Sequence, residues 1–97
     1  MKREDAIARL RASEAELRQL GVEQLYLFGS TARNDTREGS DVDLFFDYPR
    51  GDFGLFDLME VQERAAQILG MRADITTRDS LHPILRPRIE ASAVRVF

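Results

Sequence analysis

The chain has no cysteine and one histidine, His82. The first absence excludes a disulfide framework, thiolate zinc sites and cysteine nucleophiles, and the second excludes a histidine-rich metal site. No stretch approaches the roughly 18 consecutive apolar residues of a membrane-spanning helix. The N-terminus, Met1-Lys2-Arg3-Glu4-Asp5, leads into an amphipathic segment and does not resemble a signal peptide, so the expected home is a bacterial or archaeal cytoplasm. Positive charge is not in excess either. Fourteen Lys and Arg stand against 17 Asp and Glu, a formal net charge of −3, so nothing in the overall charge favours direct binding to nucleic acid. Repeats, low-complexity tracts and internal linkers are missing too, and 97 residues suit one domain, 1–97.

What is present is an ordinary globular mixture, 43% hydrophobic and 32% charged. Residues 4–20 read as a helix, with Ile7, Leu10, Leu17 and Leu20 near one face and Gly21 as its stop. Gln24 to Phe28 is a short apolar run that suits a strand covered on both faces. Gly29 to Arg33 opens a helical turn, and Asn34 to Gly39 is polar and turn-rich. Asp41 to Asp47 alternates as a strand does, and Tyr48 to Gly54, with Pro49, Gly51 and Gly54, is a loop. Leu55 to Leu69 is a second long helix, expected to bury Leu55, Leu58, Met59, Ala65, Ala66 and Leu69, with Gly70 as its stop. Arg72 to Thr77 is a third strand. Leu81 to Ala93 is an interrupted helix around Pro83 and Pro87, and Val94 to Phe97 a short edge strand. This order predicts a small α/β or α+β domain, with helices on one face of a three- or four-stranded mixed sheet. The other face is then wet or functional.

Chemistry concentrates on that second face. Side chains alternate along a strand, so Asp41 and Asp43 point one way while Val42 and Leu44 point into the core. The same parity on the third strand buries Ala73 and Ile75 and leaves Arg72, Asp74 and Thr76 outside. If the two strands are neighbours, three carboxylates converge. Like charges about 4 Å apart repel by about 4 kcal/mol at an effective dielectric near 20, so such a cluster calls for a cation. Hard oxygen ligands without His or Cys favour Mg²⁺ or Mn²⁺ over zinc, and two such ions suit in-line displacement at phosphorus. Gly29-Ser30, where a strand runs into a helical turn, offers backbone N–H groups and a hydroxyl to a phosphate. Arg33, about one turn on, is placed to neutralise phosphate charge or to pair with Asp35 or Asp43. Ser40 by itself reads as a turn or capping residue, His82 as a surface or capping histidine, and Phe45 and Phe46 as packing.

Gly29-Ser30-Thr31-Ala32-Arg33, then Ser40-Asp41-Val42-Asp43-Leu44, then Ala73-Asp74-Ile75 resemble the polymerase-β-like nucleotidyltransferases. The short length narrows the likeness to the minimal nucleotidyltransferase (MNT) group. It extends over nearly the whole chain, including Gly54-Leu55-Phe56-Asp57-Leu58 and Leu85-Arg86-Pro87-Arg88-Ile89. The resemblance implies that Asp41 and Asp43 hold two Mg²⁺ ions, with Asp74 as the third acid, which orients or deprotonates the attacking hydroxyl. Gly29 and Ser30 would hold the triphosphate of ATP with Arg33 near it, and Ser40, inside the second motif, joins the nucleotide-binding candidates. It also implies a partner, because MNT proteins are commonly antitoxins that transfer AMP to a tyrosine hydroxyl of a HEPN-domain ribonuclease toxin. The alternatives are an antitoxin that masks its toxin by contact alone and a nucleotidyltransferase acting on an antibiotic.

Overall fold

A computed structural model describes residues 1–33, 41–49, 51 and 53–97. Four strands form one mixed sheet: β1 (Gln24–Phe28), β2 (Val42–Asp47), β3 (Ala73–Thr77) and β4 (Val94–Arg95), in the order β3-β2-β1-β4. β1 pairs antiparallel with β2 and β4, and β2 pairs parallel with β3. A parallel pair needs a long crossover, and the crossover here is the fifteen-residue helix Leu55–Leu69.

Two helical segments precede the sheet. The run expected as one helix over 4–20 is instead α1 (Arg3–Ala12) and α2 (Glu14–Gln19), broken at Ser13 with φ −110° and ψ 19°. Ser13-x-x-Glu16 has the spacing of a helix start, a signal masked by the continuous apolar periodicity around it. Glu16 does not fold back as a cap, but accepts a hydrogen bond of 2.9 Å from Arg64 Nη2. The short α3 (Gly29–Ala32) follows β1, α4 is the crossover Leu55–Leu69, and α5 (Arg86–Ser92) precedes β4. Within the expected span 81–93 only α5 is helical. Pro87 sits in its first turn, where a missing N–H costs nothing. His82 behaves as a cap, its Nδ1 accepting from the Ile84 N–H at 3.2 Å.

The core lies on one face of the sheet. Leu25 and Leu27, Val42, Leu44 and Phe46, and Ala73 and Ile75 meet Ala6, Leu10, Leu17, Val61, Ala65 and Leu69 from the helices. α4 buries a narrower stripe than its composition suggests. Val61, Ala65 and Leu69 recur every four residues, whereas Met59 lies about 120° round the helix from Ala65 at 3.6 residues per turn. Leu55 and Met59, expected to be buried, are therefore exposed, at 68% and 54%. The helix begins where expected, with the Gly54 N–H donating to Asp57 Oδ2 at 2.8 Å, and ends at Gly70 in the left-handed conformation. The edge strand expected over 94–97 also holds, since Val96 N–H donates to the Leu25 carbonyl and Leu25 N–H to that of Phe97.

Candidate active site

The opposite face of the sheet carries Tyr26 and Phe28 from β1, Asp43, Phe45 and Asp47 from β2, and Asp74 and Thr76 from β3. Parity fixes this. Val42 and Leu44 are fully buried while Asp43 between them is only partly so, and exposed Asp74 lies between buried Ala73 and Ile75. Parallel register then places Asp43 directly beside Asp74 and, one step further, Phe45 beside Thr76. Asp41 sits just ahead of β2, with its Oδ1 3.8 Å from Arg72 Nε.

These acids act on one another. The Asp43 carboxyl is pushed above its usual 3.8, first by burial, then by the negative charges of Asp74 and Asp41, with Arg33 opposing. Three residues singled out in the sequence, Asp74, Asp41 and Arg33, thus fall within electrostatic reach of the Asp43 carboxylate. The donor chemistry fits a hard divalent cation, since a bound positive charge would offset the repulsion that raises Asp43. Among the described residues, no three His, Cys, Asp or Glu side chains already stand in metal-ligand geometry.

Gly29 supplies the adjoining wall. Antiparallel register puts Phe28 opposite Asp43, so the next residue, Gly29, comes up against the Asp43 side chain. Its φ is +74°, and a Cβ built there would overlap Asp43 Oδ2. Only glycine satisfies both the backbone and the close approach. α3 then closes one turn, the Arg33 N–H donating to the Gly29 carbonyl at 3.2 Å. The first N–H groups of such a turn have no acceptor within the helix and are available to an anion. Ser30 is half-buried here and Arg33 exposed. Ser40 lies outside the described residues.

Beside the acids, between β3 and α4, opens a cleft of about 600 Å³, lined by Asp41, Arg72 and Asp74 on the strand side and by Met59, Gln62 and Glu63 on the helix. The other half of the face is closed. Phe45 shares its parity with Asp43, yet is fully buried, stacked on Tyr26 at 4.9 Å and tilted against Phe28 at 5.7 Å. Arg78, in the single 3₁₀ turn after β3 (Arg78–Ser80), lies over both Tyr26 and Phe45, at 4.8 and 5.1 Å. It donates to both Asp47 oxygens, at 2.7 and 3.0 Å, and to Glu90 of α5 at 2.5 Å. Arg78 escaped the sequence reading. Its one trace was the parity that puts Tyr26, Phe45 and Asp47 on the side opposite the core.

A mixed sheet with aligned carboxylates beside a glycine-opened helix start is the scaffold of a nucleotide-handling enzyme. The sequence profile of the nucleotidyltransferase domain matches residues 10–96, and the chain belongs to that family, in its minimal nucleotidyltransferase group. A protein of Methanocaldococcus jannaschii, provisionally assigned as a protein adenylyltransferase, is 38% identical over 77 residues, covering 79% of this chain and 82% of its own. A solved structure provisionally assigned as a minimal nucleotidyltransferase superposes with a TM-score of 0.83 at 32% identity, over 97% of this chain and 95% of that one. The fold is shared also with a chain from the complex of a tri-AMPylated Shewanella oneidensis HEPN toxin with an MNT antitoxin, at TM-score 0.64 and 17% identity, over 90% and 68%. The chain is thus an enzyme of the transferase class. No helix among its described residues is long and apolar enough to cross a membrane.

Proposed function

We propose that this chain moves AMP from ATP to a tyrosine hydroxyl of a partner HEPN ribonuclease toxin and so acts as its antitoxin. The observation that carries the reading is Asp43, aligned with Asp74 across parallel strands and pressed against the Gly29 backbone. In the reaction the tyrosine oxygen attacks the α-phosphorus, the bond between the α- and β-phosphates breaks, and pyrophosphate leaves. Asp74, at the edge of the open cleft, orients the hydroxyl and accepts its proton. The Gly29 and Ser30 end of α3 holds the triphosphate, Arg33 lowers its charge, and Ser40 adds a contact to the nucleotide. Asp41 and Asp43, with Asp74, would hold two Mg²⁺ ions, which neutralise charge on the phosphates and the leaving group. The M. jannaschii relative's assignment supports adenylyl transfer to protein, and the S. oneidensis complex supports the choice of partner.

The test incubates the protein with α-labelled ATP, Mg²⁺ and its co-encoded HEPN partner. Label on a partner tyrosine, lost in the Asp41→Asn, Asp43→Asn double variant, is the expected result. Label retained by that variant sinks the mechanism. An unlabelled toxin that both proteins nevertheless silence assigns neutralisation to binding alone.

A further inference from the structure

Phe56 and Glu63 of α4 each lie three or four residues from Met59 and Glu60, so the four share a single stripe along the helix. The stripe lies away from Val61, Ala65 and Leu69, which hold α4 to the core. Its first part is apolar and open to solvent: Phe56 is 84% exposed, and neighbouring Leu55 and Met59 are largely exposed as well. Its second part is acidic, and neither Glu60 nor Glu63 has an ion-pair partner among the described residues. Met59 and Glu63 also line the cleft that holds Asp41 and Asp74. An exposed apolar patch rimmed by charge marks a contact surface, and this one runs straight into the acids.

We infer that this stripe docks the acceptor-bearing segment of the partner protein. That segment seats an aliphatic or aromatic side chain against Leu55, Phe56 and Met59 and turns lysine or arginine toward Glu60 and Glu63. Its hydroxyl is thereby carried along the cleft to Asp74. The charge argues for this occupant. Among the described residues that line the cleft, Glu63, Asp41 and Asp74 are met by one cation, Arg72, which is 90% exposed and comes no nearer to Asp41 than 3.8 Å. A second copy of the chain fits poorly. In a two-fold contact, helices running together oppose acid to acid, and helices running against each other oppose acid to the apolar end.

The inference rests on the transfer reading for the partner's role as acceptor, and the two can fail separately. The experiment measures the affinity of the full chain for its co-encoded HEPN partner, the KM for that partner in AMP transfer, and the affinity for Mg²⁺-ATP. Phe56→Glu should weaken the complex by about 30-fold or more, the scale of an interface hot spot. It should raise the KM for the partner while leaving Mg²⁺-ATP affinity and thermal midpoint unchanged. Glu60→Gln should slow association and flatten its dependence on salt. Unchanged partner affinity in both variants overturns the inference, even where AMP transfer is intact. So does a Phe56→Glu variant that merely converts a self-dimer to monomer. Binding that depends on the stripe without any AMP transfer upholds the inference and removes the transfer reading. A wild-type chain that does not bind the partner overturns both.

Discussion

Asp43 and Asp47 stand on one face of β2, one on each side of Phe45, and their surroundings differ in every respect. Asp47 is met by a planar guanidinium that donates to both of its oxygens, while the same cation covers two aromatic rings and a second carboxylate. Asp43 is met by two further carboxylates, a glycine backbone and the charge of Arg33 at a distance. One end of the face is a finished polar network, which rigidifies because every member has a partner. The other end is left electrostatically incomplete. A protein that only had to fold would gain nothing from the second arrangement, so the contrast within one strand separates what supports the sheet from what awaits a ligand.

The largest expected effect comes from breaking the incomplete end. On the proposed mechanism, Asp43→Asn should lower kcat/KM for AMP transfer by more than about 10³-fold, because several kcal/mol of charge stabilisation would leave with the ions it would hold. The same variant should melt higher than the parent in Mg²⁺-free buffer. A fall in midpoint would show that Asp43 is a structural carboxylate like Asp47. Gly29→Ala comes next. A side chain there must adopt a left-handed backbone at about 1–2 kcal/mol and push into Asp43, so transfer should drop about 100-fold with a modest loss in midpoint. Wild-type transfer by this variant would show that the close approach is incidental.

At the finished end the order of effects reverses. Arg78→Ala should cost about 2 kcal/mol of stability in urea denaturation, by unpairing the partly buried Asp47 carboxylate, leaving Glu90 to Arg86 alone among the described residues, and uncovering Phe45. Its effect on transfer should be no more than about tenfold. Arg78→Lys should recover less than half of the loss, since an ammonium cannot make the bidentate contact. A more subtle check uses pH. The Asp43 carboxyl is raised in the folded state, so folding favours its proton, and the stability it costs appears as pH climbs from 3.8 through the raised value. The advantage of Asp43→Asn in melting should therefore be present at neutral pH and vanish in acid. Glu90 has the opposite sign. Hydrogen bonds, first from Arg78 and then from Arg86, hold its carboxyl below the usual 4.5. The small stabilisation it gives, measured against Glu90→Gln, should persist above that value and disappear as pH falls below it.

How much of this was legible in the sequence follows from the range of each signal. Strand parity is strictly local, so the side on which Asp43 and Asp74 emerge could be read from Val42, Leu44, Ala73 and Ile75 alone. The helix stop at Gly70 and the edge strand after α5 were local too. The burial of Leu55 and Met59 was not, because a helix pattern says which residues are apolar but not how wide a stripe the sheet covers. The break at Ser13 was hidden by apolar residues that continue in phase across it. Arg78 was invisible because its four partners come from β1, β2 and α5, and no spacing in the chain announces a meeting of that kind.

The in-step pairing of β2 with β3 has a consequence for how such a chain tolerates change in length. Asp74 reaches Asp43 only because the turn at Gly70 to Arg72 delivers β3 in one particular phase. Adding or deleting a single residue there would turn every β3 side chain over, sending Asp74 into the core and Ala73 outward. Two residues would restore the side but carry Asp74 one step along the strand. The other end of α4 feeds a helix, which has no two-residue alternation to keep in step. Viable length variation should therefore accumulate ahead of the crossover helix and be purged behind it.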